Sequence, residues 1–347
     1  MFEKIEIERF RGIKSGKIEG LRRINLFFGK NNCGKSSVLD SLFLISGLSN
    51  PALPLNINLM RDYRKLDKQD VILDFYALET TLPIVIKAYN DEVRELDISL
   101  IESSYTDVDL LSDDNNIAST SVSNRYGLGL ISTINQGVYG SSILFFTNKE
   151  GQLQQRIESK SMYKEDLICK YINPKFNFYT SIEGLANVIQ NKDEQFIIDA
   201  LKLIEPRLVD FVLSQDDVLV DVGIEKRIPI NMMGDGARKL LSILTTIYEC
   251  KDGIVLIDEI SNGFHYSVMK GVWQSVLAAA RLNNVQIFAT THDKDSIIGL
   301  RDAALASEDE DSVACFKLQH MSDDSLQAYH YSLESVDYSI NQEIEIR

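Results

Sequence analysis

The sequence predicts an α/β fold with a parallel sheet, and three observations carry that prediction. A strand predicted at Ile24–Phe28 leads into a glycine-rich turn, and a helix follows from about Gly34 to Gly47. A second apolar run, Ile254–Ile257, ends in two carboxylates. Strand and helix patterns then alternate to the end of the chain, which favours buried parallel strands connected by helices.

Composition bounds the class of protein. The chain has 347 residues, 44% of them hydrophobic, which predicts a globular protein of one large domain or two. It carries 36 Lys and Arg against 51 Asp and Glu, a net charge of −15, which argues against coating nucleic acid by charge alone. Because no long apolar run and no signal peptide is recognised, we expect a cytoplasmic protein without a membrane segment. The four cysteines are widely spaced, so we expect reduced thiols.

The remaining segments divide into a β-rich part and a helical part. We predict an edge-type strand at 2–8, an irregular loop at 48–70 and a mobile loop at 102–124. Further strands are predicted at 71–75, 84–88, 96–101 and 142–146. Helical patterns dominate 160–213, a hairpin joins 218–222 to 227–230, and a helix is predicted at 236–250.

Residues 29–36, Gly-Lys-Asn-Asn-Cys-Gly-Lys-Ser, match the P-loop pattern G-x-x-x-x-G-K-[ST] at every fixed position, between a strand and a helix. In such a loop, backbone N–H groups and the helix N-terminus bind phosphate. We expect Lys35 to reach the β- and γ-phosphates of ATP and Ser36 to bind Mg²⁺. The nucleotide-binding residues predicted here are Gly29, Asn31, Asn32, Cys33, Gly34, Lys35, Ser36 and Ser37. Cys33 is either a small loop residue or a thiol of lowered pKa that oxidises readily.

The apolar run at 254–257 delivers Asp258 and Glu259 to the carboxyl end of a predicted strand. We expect Asp258 to hold Mg²⁺ through water and Glu259 to polarise the attacking water. A strand ending in two acids is structural in many proteins, but a P-loop earlier in the chain makes it a catalytic partner. The next strand ends at His292, a residue type that is more often structural when it stands alone.

A Gly234-Asp235-Gly236 turn opens the helix that precedes the acidic strand. The order of P-loop, glycine-turn helix, acidic strand and strand-end histidine resembles the ABC-type ATPase heads of the SMC, RecF and overcoming-lysogenisation-defect (OLD) group. The opening Ile-Glu-Arg-Phe-Arg-Gly-Ile at 7–13 and Ala-Thr-Thr-His at 289–292 look most like stand-alone OLD-type ATPases of the AAA family in bacterial defence loci.

The resemblance implies one ABC-type ATPase domain over 1–347. Its nucleotide-binding lobe would comprise 1–158 and 251–347, with an amino-terminal antiparallel β-subdomain, and a helical lobe with the signature motif would span 159–250. Two heads would enclose ATP, so that Gly234, Asp235 and Gly236 act on the nucleotide held by the partner. His292 would contact the γ-phosphate. Arg11 would lie near the phosphates or, equally, be a surface arginine.

This sequence departs from the general ABC pattern in two places, where Met233 replaces the signature serine and His265 stands at the D-loop aspartate position. Both departures bear on the rate of hydrolysis. The Q-loop glutamine is not placed, and Gln69 and Gln136 are its candidates. Residues 191–194 end in Glu where a guanine-reading motif has Asp, so we expect ATP rather than GTP.

We therefore expect an ATP- and Mg²⁺-dependent switch that forms a homodimer, or an oligomer built from dimers. It would control an effector encoded nearby, a Toprim-type nuclease or a toxin, in antiphage defence. The sequence after His292 shows no Toprim pattern, so a nuclease would be a separate protein. The alternative is a DNA-repair ATPase like RecF or SMC that binds DNA directly. Residues 1–90 carry more basic than acidic side chains, which is compatible with this alternative. A transporter subunit is disfavoured because the Leu-Ser-Gly-Gly-Gln signature is absent.

Overall fold

The computed structural model describes residues 1–61, 71–108, 120–149, 152–159, 163–174, 182–214 and 217–336. The helices are α1 Lys35–Ser46, α2 Leu53–Met60, α3 Ile182–Gln190, α4 Gln195–Leu201, α5 Asp235–Glu249, α6 Met269–Leu282 and α7 Lys294–Ala306. The strands are β1 Lys4–Phe10, β2 Ile13–Glu19, β3 Ile24–Phe28, β4 Ile84–Tyr89, β5 Val93–Val108, β6 Thr120–Ile134, β7 Gly137–Lys149, β8 Gln152–Ser159, β9 Cys169–Ile172, β10 Asp210–Ser214, β11 Asp217–Asp221, β12 Ile228–Pro229, β13 Ile254–Ile257, β14 Gln286–Thr291, β15 Val313–His320 and β16 Ser325–Tyr331.

Parallel strands form the part of the large sheet that positions the P-loop. Strand β3 lies between β14 and β15, and β13 follows β14 and is itself followed by β9, all in parallel register. Every residue of β3, β13 and β14 is buried, as predicted for strands covered on both faces. Their carboxyl ends meet at one edge, so the P-loop, Asp258 and His292 come together there.

Alternate side chains of these strands enter two different cores. Leu26, Val255 and Ile257 pack with α5, α6 and α7, whereas Phe27 and Leu256 pack with α1 and the antiparallel strands. This alternation follows from the two-residue period of a strand, and it places helices on both faces of the sheet.

The amino-terminal antiparallel β-subdomain that the sequence predicts is present. In the described residues the order β8-β7-β6-β5-β4-β1-β2 continues the large sheet, which has thirteen strands there. The prediction that 2–8 forms an edge strand is wrong, because β1 pairs with both β2 and β4. Its alternation arises because Ile5 and Ile7 face the core on one side of the sheet.

Other predicted segments also differ from the structure. The loop predicted at 48–70 contains α2, whose first turn accommodates Pro54 because that position needs no N–H donor, and 62–70 lie outside the described residues. The strand predicted at 71–75 is wrong: Asp74 and Phe75 make turn hydrogen bonds to Val71 and Ile72, and only an isolated bridge joins Phe75 to Phe10.

The loop predicted at 102–124 is largely a hairpin, since β5 extends to Val108 and pairs with β6 from Thr120. The polar sequence of this segment gives no strand pattern, because its two strands are paired through their backbones. Residues 109–119 lie outside the described residues. Within the segment predicted to be helical, β9 joins the large sheet and β10 pairs with β11. The hairpin of β11 and β12 is as predicted.

All four cysteines are free thiols, as their spacing predicts. Over the described ranges, every helix is too short or too polar to cross a bilayer.

Candidate nucleotide-binding and catalytic site

The turn after β3 has the backbone of a phosphate-binding loop. Gly29 has φ +148° and a Cβ there would lie 2.5 Å from the carbonyl oxygen of Leu318, so only glycine fits. Gly34, with φ +94°, precedes α1, and no side chain caps the helix. The first N–H groups of α1 are therefore left for an anion.

The Lys35 side chain is held over this loop by backbone carbonyl groups of the loop. Its Nζ donates to the carbonyl oxygens of Gly29, at 2.9 Å, and Lys30, at 3.0 Å. The side chain is only 7% exposed, yet Lys35 borders a cavity of about 580 Å³ over the loop, which also reaches Glu259. This volume is within the range of small-molecule sites, and a lysine there supplies a positive charge to phosphate.

A hydroxyl and a carboxylate meet beside the loop. Ser36 Oγ donates to Asp258 Oδ1 at 3.3 Å, and Thr290 Oγ1 donates to the same oxygen at 2.6 Å. Oxygen ligands of this kind are those that Mg²⁺ prefers, and it commonly takes one or two from protein, with water and phosphate oxygens completing the octahedron. The pair fits a Mg²⁺ site even though no group of three His, Cys, Asp or Glu suited to a metal occurs in the described residues.

Glu259 is fixed on three sides. Its backbone N–H donates to Thr290 Oγ1 at 2.9 Å, its carbonyl oxygen accepts from Lys239 Nζ at 2.6 Å, and its Oε2 lies 2.6 Å from His292 Nδ1. Its φ of +55° is left-handed, a conformation that costs a non-glycine residue about 1–3 kcal/mol and that persists only where the surroundings hold it. The site thus presents one carboxylate, oriented by a histidine, to the P-loop cavity.

Of the two alternatives for Arg11, the exposed surface arginine is wrong. Arg11 forms ion pairs with Asp40 of α1 and with Asp74, and its side chain is 14% exposed. Burial raises the pKa of both carboxyls, and the guanidinium opposes that shift. The contact of Arg11 with phosphate stays a prediction, and the structure places its guanidinium between two carboxylates.

The signature residues stand apart from their own P-loop. Gly234 has open space around it, the Asp235 side chain is 88% exposed, and neither borders the P-loop cavity of this chain. Gly236 packs against the loop after Glu259, where an added Cβ would lie 2.7 Å from the carbonyl oxygen of Gly263.

The two departures from the ABC pattern have local roles. Met233 is partly buried against the core that contains α5. His265 caps the turn at Tyr266–Val268, with Nδ1 2.8 Å from Ser267 Oγ. Neither contact gives either side chain a direct part in the site.

The other predictions have mixed outcomes. Gln136 lies exposed in the turn between β6 and β7 and does not border the P-loop cavity, so it is not supported as the Q-loop residue, and Gln69 lies outside the described residues. Of the two alternatives for Cys33, the small loop residue is favoured: burial raises the pKa of its thiol, and this outweighs the effects of Lys35 and the nearby backbone.

Sequence reasoning missed Thr290 and Lys239. Thr290 lies on a buried strand and joins Asp258 to Glu259. Lys239 lies on α5, and burial lowers the pKa of its ammonium group to about 8. For Lys239, the one feature of the sequence that could have indicated a role is its position directly before apolar residues of the signature helix.

Comparison with known proteins agrees with this architecture. Residues 24–299 match the family described as "AAA domain, putative AbiEii toxin, Type IV TA system". A Helicobacter pylori protein named ATP/GTP phosphatase is 23% identical over an alignment of 327 positions that covers 86% of each chain. An uncharacterized protein of Methanocaldococcus jannaschii is 33% identical over 123 residues, 33% of this chain and 56% of that protein.

Two solved structures share the fold at low identity. An SMC head bound to the C-winged helix domain of ScpA aligns with TM-score 0.52 and 13% identity, covering 97% of this chain and 99% of that one. The SMC head domain with an extended coiled coil, bound to the C-terminal domain of ScpA derived from Pyrococcus furiosus, has TM-score 0.50 and 12% identity, with 99% of each chain covered. The predicted α/β fold of an ATPase head is confirmed, and the match to an AAA domain confirms the predicted enzyme class, an ATPase.

Proposed function

Because this chain belongs to the AAA-domain family described as a putative AbiEii toxin of a type IV toxin–antitoxin system, we propose that it is an ATP-driven switch that controls an effector protein. The observation that carries the proposal is the meeting of Lys35, Ser36, Asp258, Glu259 and His292 at one edge of the sheet. These residues supply a phosphate-binding cation, Mg²⁺ ligands and an oriented carboxylate, which hydrolysis of a phosphoanhydride requires.

Each residue has a role in this proposal. Lys35 binds the β- and γ-phosphates, and Ser36 and Asp258 hold Mg²⁺, which neutralises phosphate charge when bound. Glu259 orients and deprotonates the attacking water, and His292 fixes the Glu259 carboxylate and contacts the γ-phosphate.

We propose further that the working unit is a homodimer in which each signature turn completes the partner's site. The separation of Gly234 and Asp235 from their own P-loop cavity supports this arrangement. So does the exposure of Met232, a large apolar side chain that is 72% exposed next to the signature turn.

The effector is a toxin or a Toprim-type nuclease encoded nearby, acting in antiphage defence as in the OLD-type group. The toxin–antitoxin wording of the family description supports a role in restraining or releasing a harmful activity. The net charge of −15 favours a protein effector over direct DNA binding, which stays the alternative. The name ATP/GTP phosphatase of the Helicobacter pylori relative makes GTP the comparison substrate for the expected preference for ATP.

Two substitutions test the proposal by separating nucleotide binding from hydrolysis. Lys35→Ala removes the buried cation and should abolish most ATP binding in calorimetry with Mg²⁺. Glu259→Gln keeps the shape of the side chain, loses the base and should bind ATP while hydrolysing it about 100-fold more slowly. Equal ATP affinity in Lys35→Ala and wild type would reject the P-loop assignment, and unchanged turnover in Glu259→Gln would place the catalytic base elsewhere.

The matched control is Lys170→Met, which removes an ammonium whose partner is Glu249 at the far end of α5. It should leave both ATP binding and ATP hydrolysis close to wild type. A gel-shift assay with duplex and gapped DNA, with and without ATP, tests the alternative: tight binding at physiological salt would favour it over effector control.

A further inference from the structure

We propose that Lys239 is a positioning residue for Glu259, which couples the signature helix α5 to the catalytic carboxylate. The inference rests on the proposed ATPase function and adds a residue whose role is to transmit the position of α5. Lys239 acts through the backbone of Glu259 and does not itself touch the phosphates.

The contact is short and specific. Lys239 Nζ donates to the carbonyl oxygen of Glu259 at 2.6 Å. The backbone N–H of Glu259 donates to Thr290 of β14, and the Glu259 carboxylate contacts His292, which directly follows β14. The carbonyl is thus the point at which α5, rather than the sheet, holds the strained Glu259 backbone.

A second contact joins the same two elements. Gly236, three residues before Lys239, packs so closely on Gly263 that a Cβ would lie 2.7 Å from its carbonyl oxygen. Residues three apart on a helix share a face, so the first turns of α5 contact both ends of the 259–263 loop. A shift of α5 would therefore move the loop and the carboxylate with it.

Burial opposes the positive charge of Lys239. Burial disfavours its ammonium, and the carboxylates of Asp258 and Glu259 only partly oppose this, leaving its pKa at about 8. A partly buried cation that donates to a neutral carbonyl is weak support for a fold, because desolvation offsets much of the hydrogen bond. Because Lys239 contacts the backbone of Glu259, the proposed catalytic base, it can orient that residue.

The signature turn at the start of α5 is the part that the partner's nucleotide would engage in a dimer. Engagement there would fix α5, and through Lys239 it would fix Glu259 of the same chain. Each head would thus orient its own catalytic carboxylate when it binds the nucleotide of the other head, which makes hydrolysis depend on closure.

The test is a steady-state comparison of the full-length wild type with Lys239→Met, Lys239→Arg and the control Lys170→Met. Methionine keeps the aliphatic stem and loses the donor, so we expect kcat to fall about 10- to 100-fold, while KM for ATP and its calorimetric Kd stay within about twofold. Lys239→Arg restores a donor and should recover part of kcat. Lys170→Met should match wild type.

The double variant Lys239→Met with Glu259→Gln sharpens the test. If Lys239 acts through Glu259, the double variant should be no slower than Glu259→Gln alone, because the two losses are not additive. Additive losses, an effect on KM alone, or a Lys239→Met enzyme as fast as Lys170→Met would overturn the proposal. Should Lys239→Met fail to fold by circular dichroism, Lys239→Leu, which also lacks a donor, takes its place with the same expected results. Failure of the proposed function is distinct, since it would appear as wild type that neither binds nor hydrolyses ATP.

Discussion

At the scale of single residues, the chemistry of the site follows from what each side chain is held against. Lys35 is fixed by loop carbonyls, Asp258 by two hydroxyls, and Glu259 by a histidine. The sequence predicts Lys35, Ser36, Asp258, Glu259 and His292 because each one stands at a fixed place beside a strand end. It does not predict Lys239, because a helical lysine followed by leucines gives no indication of what its ammonium contacts.

The Cys33 thiol gives a prediction at this scale. Burial raises its pKa, so at pH 7.5 it carries less thiolate, the reactive form, than an exposed cysteine does. We expect iodoacetamide to modify native Cys33 much more slowly than the same residue in denatured protein, and the rate to rise with pH. Mass spectrometry of digests measures both rates. Rapid alkylation of native Cys33 at neutral pH would show that the thiol is activated after all.

At the scale of elements, the site depends on strands whose identity the sequence reveals and on contacts that it does not. Predominantly apolar runs identify β3, β13 and β14, because burial on both faces leaves few positions for polar side chains. The wrong prediction of a strand at 71–75 also rests on apolar residues. Val71 and Phe75 are buried, but they lie in a turn rather than in a strand. The long β5–β6 hairpin is missed because backbone pairing, not side-chain pattern, continues it through polar sequence.

The contact between α5 and the 259–263 loop gives the prediction at this scale. Gly236→Ala adds a methyl group 2.7 Å from a backbone oxygen, so helix and loop must separate. We expect ATP binding to persist and hydrolysis to fall about 10-fold or more, since the displaced loop carries Glu259. Gly271→Ala is the matched control, because its methyl group meets only the end of the Leu203 side chain, which is free to move aside. Wild-type hydrolysis in Gly236→Ala would show that α5 and the loop are not coupled.

At the scale of the whole molecule, the proposed shared site requires two chains. Lys35, Ser36 and Glu259 border the P-loop cavity, but Gly234 and Asp235 do not. The resemblance of the motif order to ABC-type ATPase heads implies this division. What the sequence does not supply is the surface that an effector recognises, since that depends on which side chains adjoin after folding.

Asp235 provides the means to test the shared site without disturbing the fold. Its side chain is 88% exposed and forms a weak ion pair with Arg238 at 3.6 Å, so tryptophan there should leave the head folded. Asp235→Trp should bind ATP as wild type does, because its own P-loop is intact. Lys35→Ala should keep an intact signature turn while losing its own phosphate site.

The most direct measurement of the central claim is the ATPase activity of these two inactive variants, alone and mixed, with the association state followed by light scattering. We expect that neither variant hydrolyses ATP alone and that an equal mixture recovers about a quarter of wild-type activity, since half of its dimers are mixed and each has one intact site. Hydrolysis by Asp235→Trp alone at the wild-type rate, in a protein that stays monomeric, would contradict the shared site.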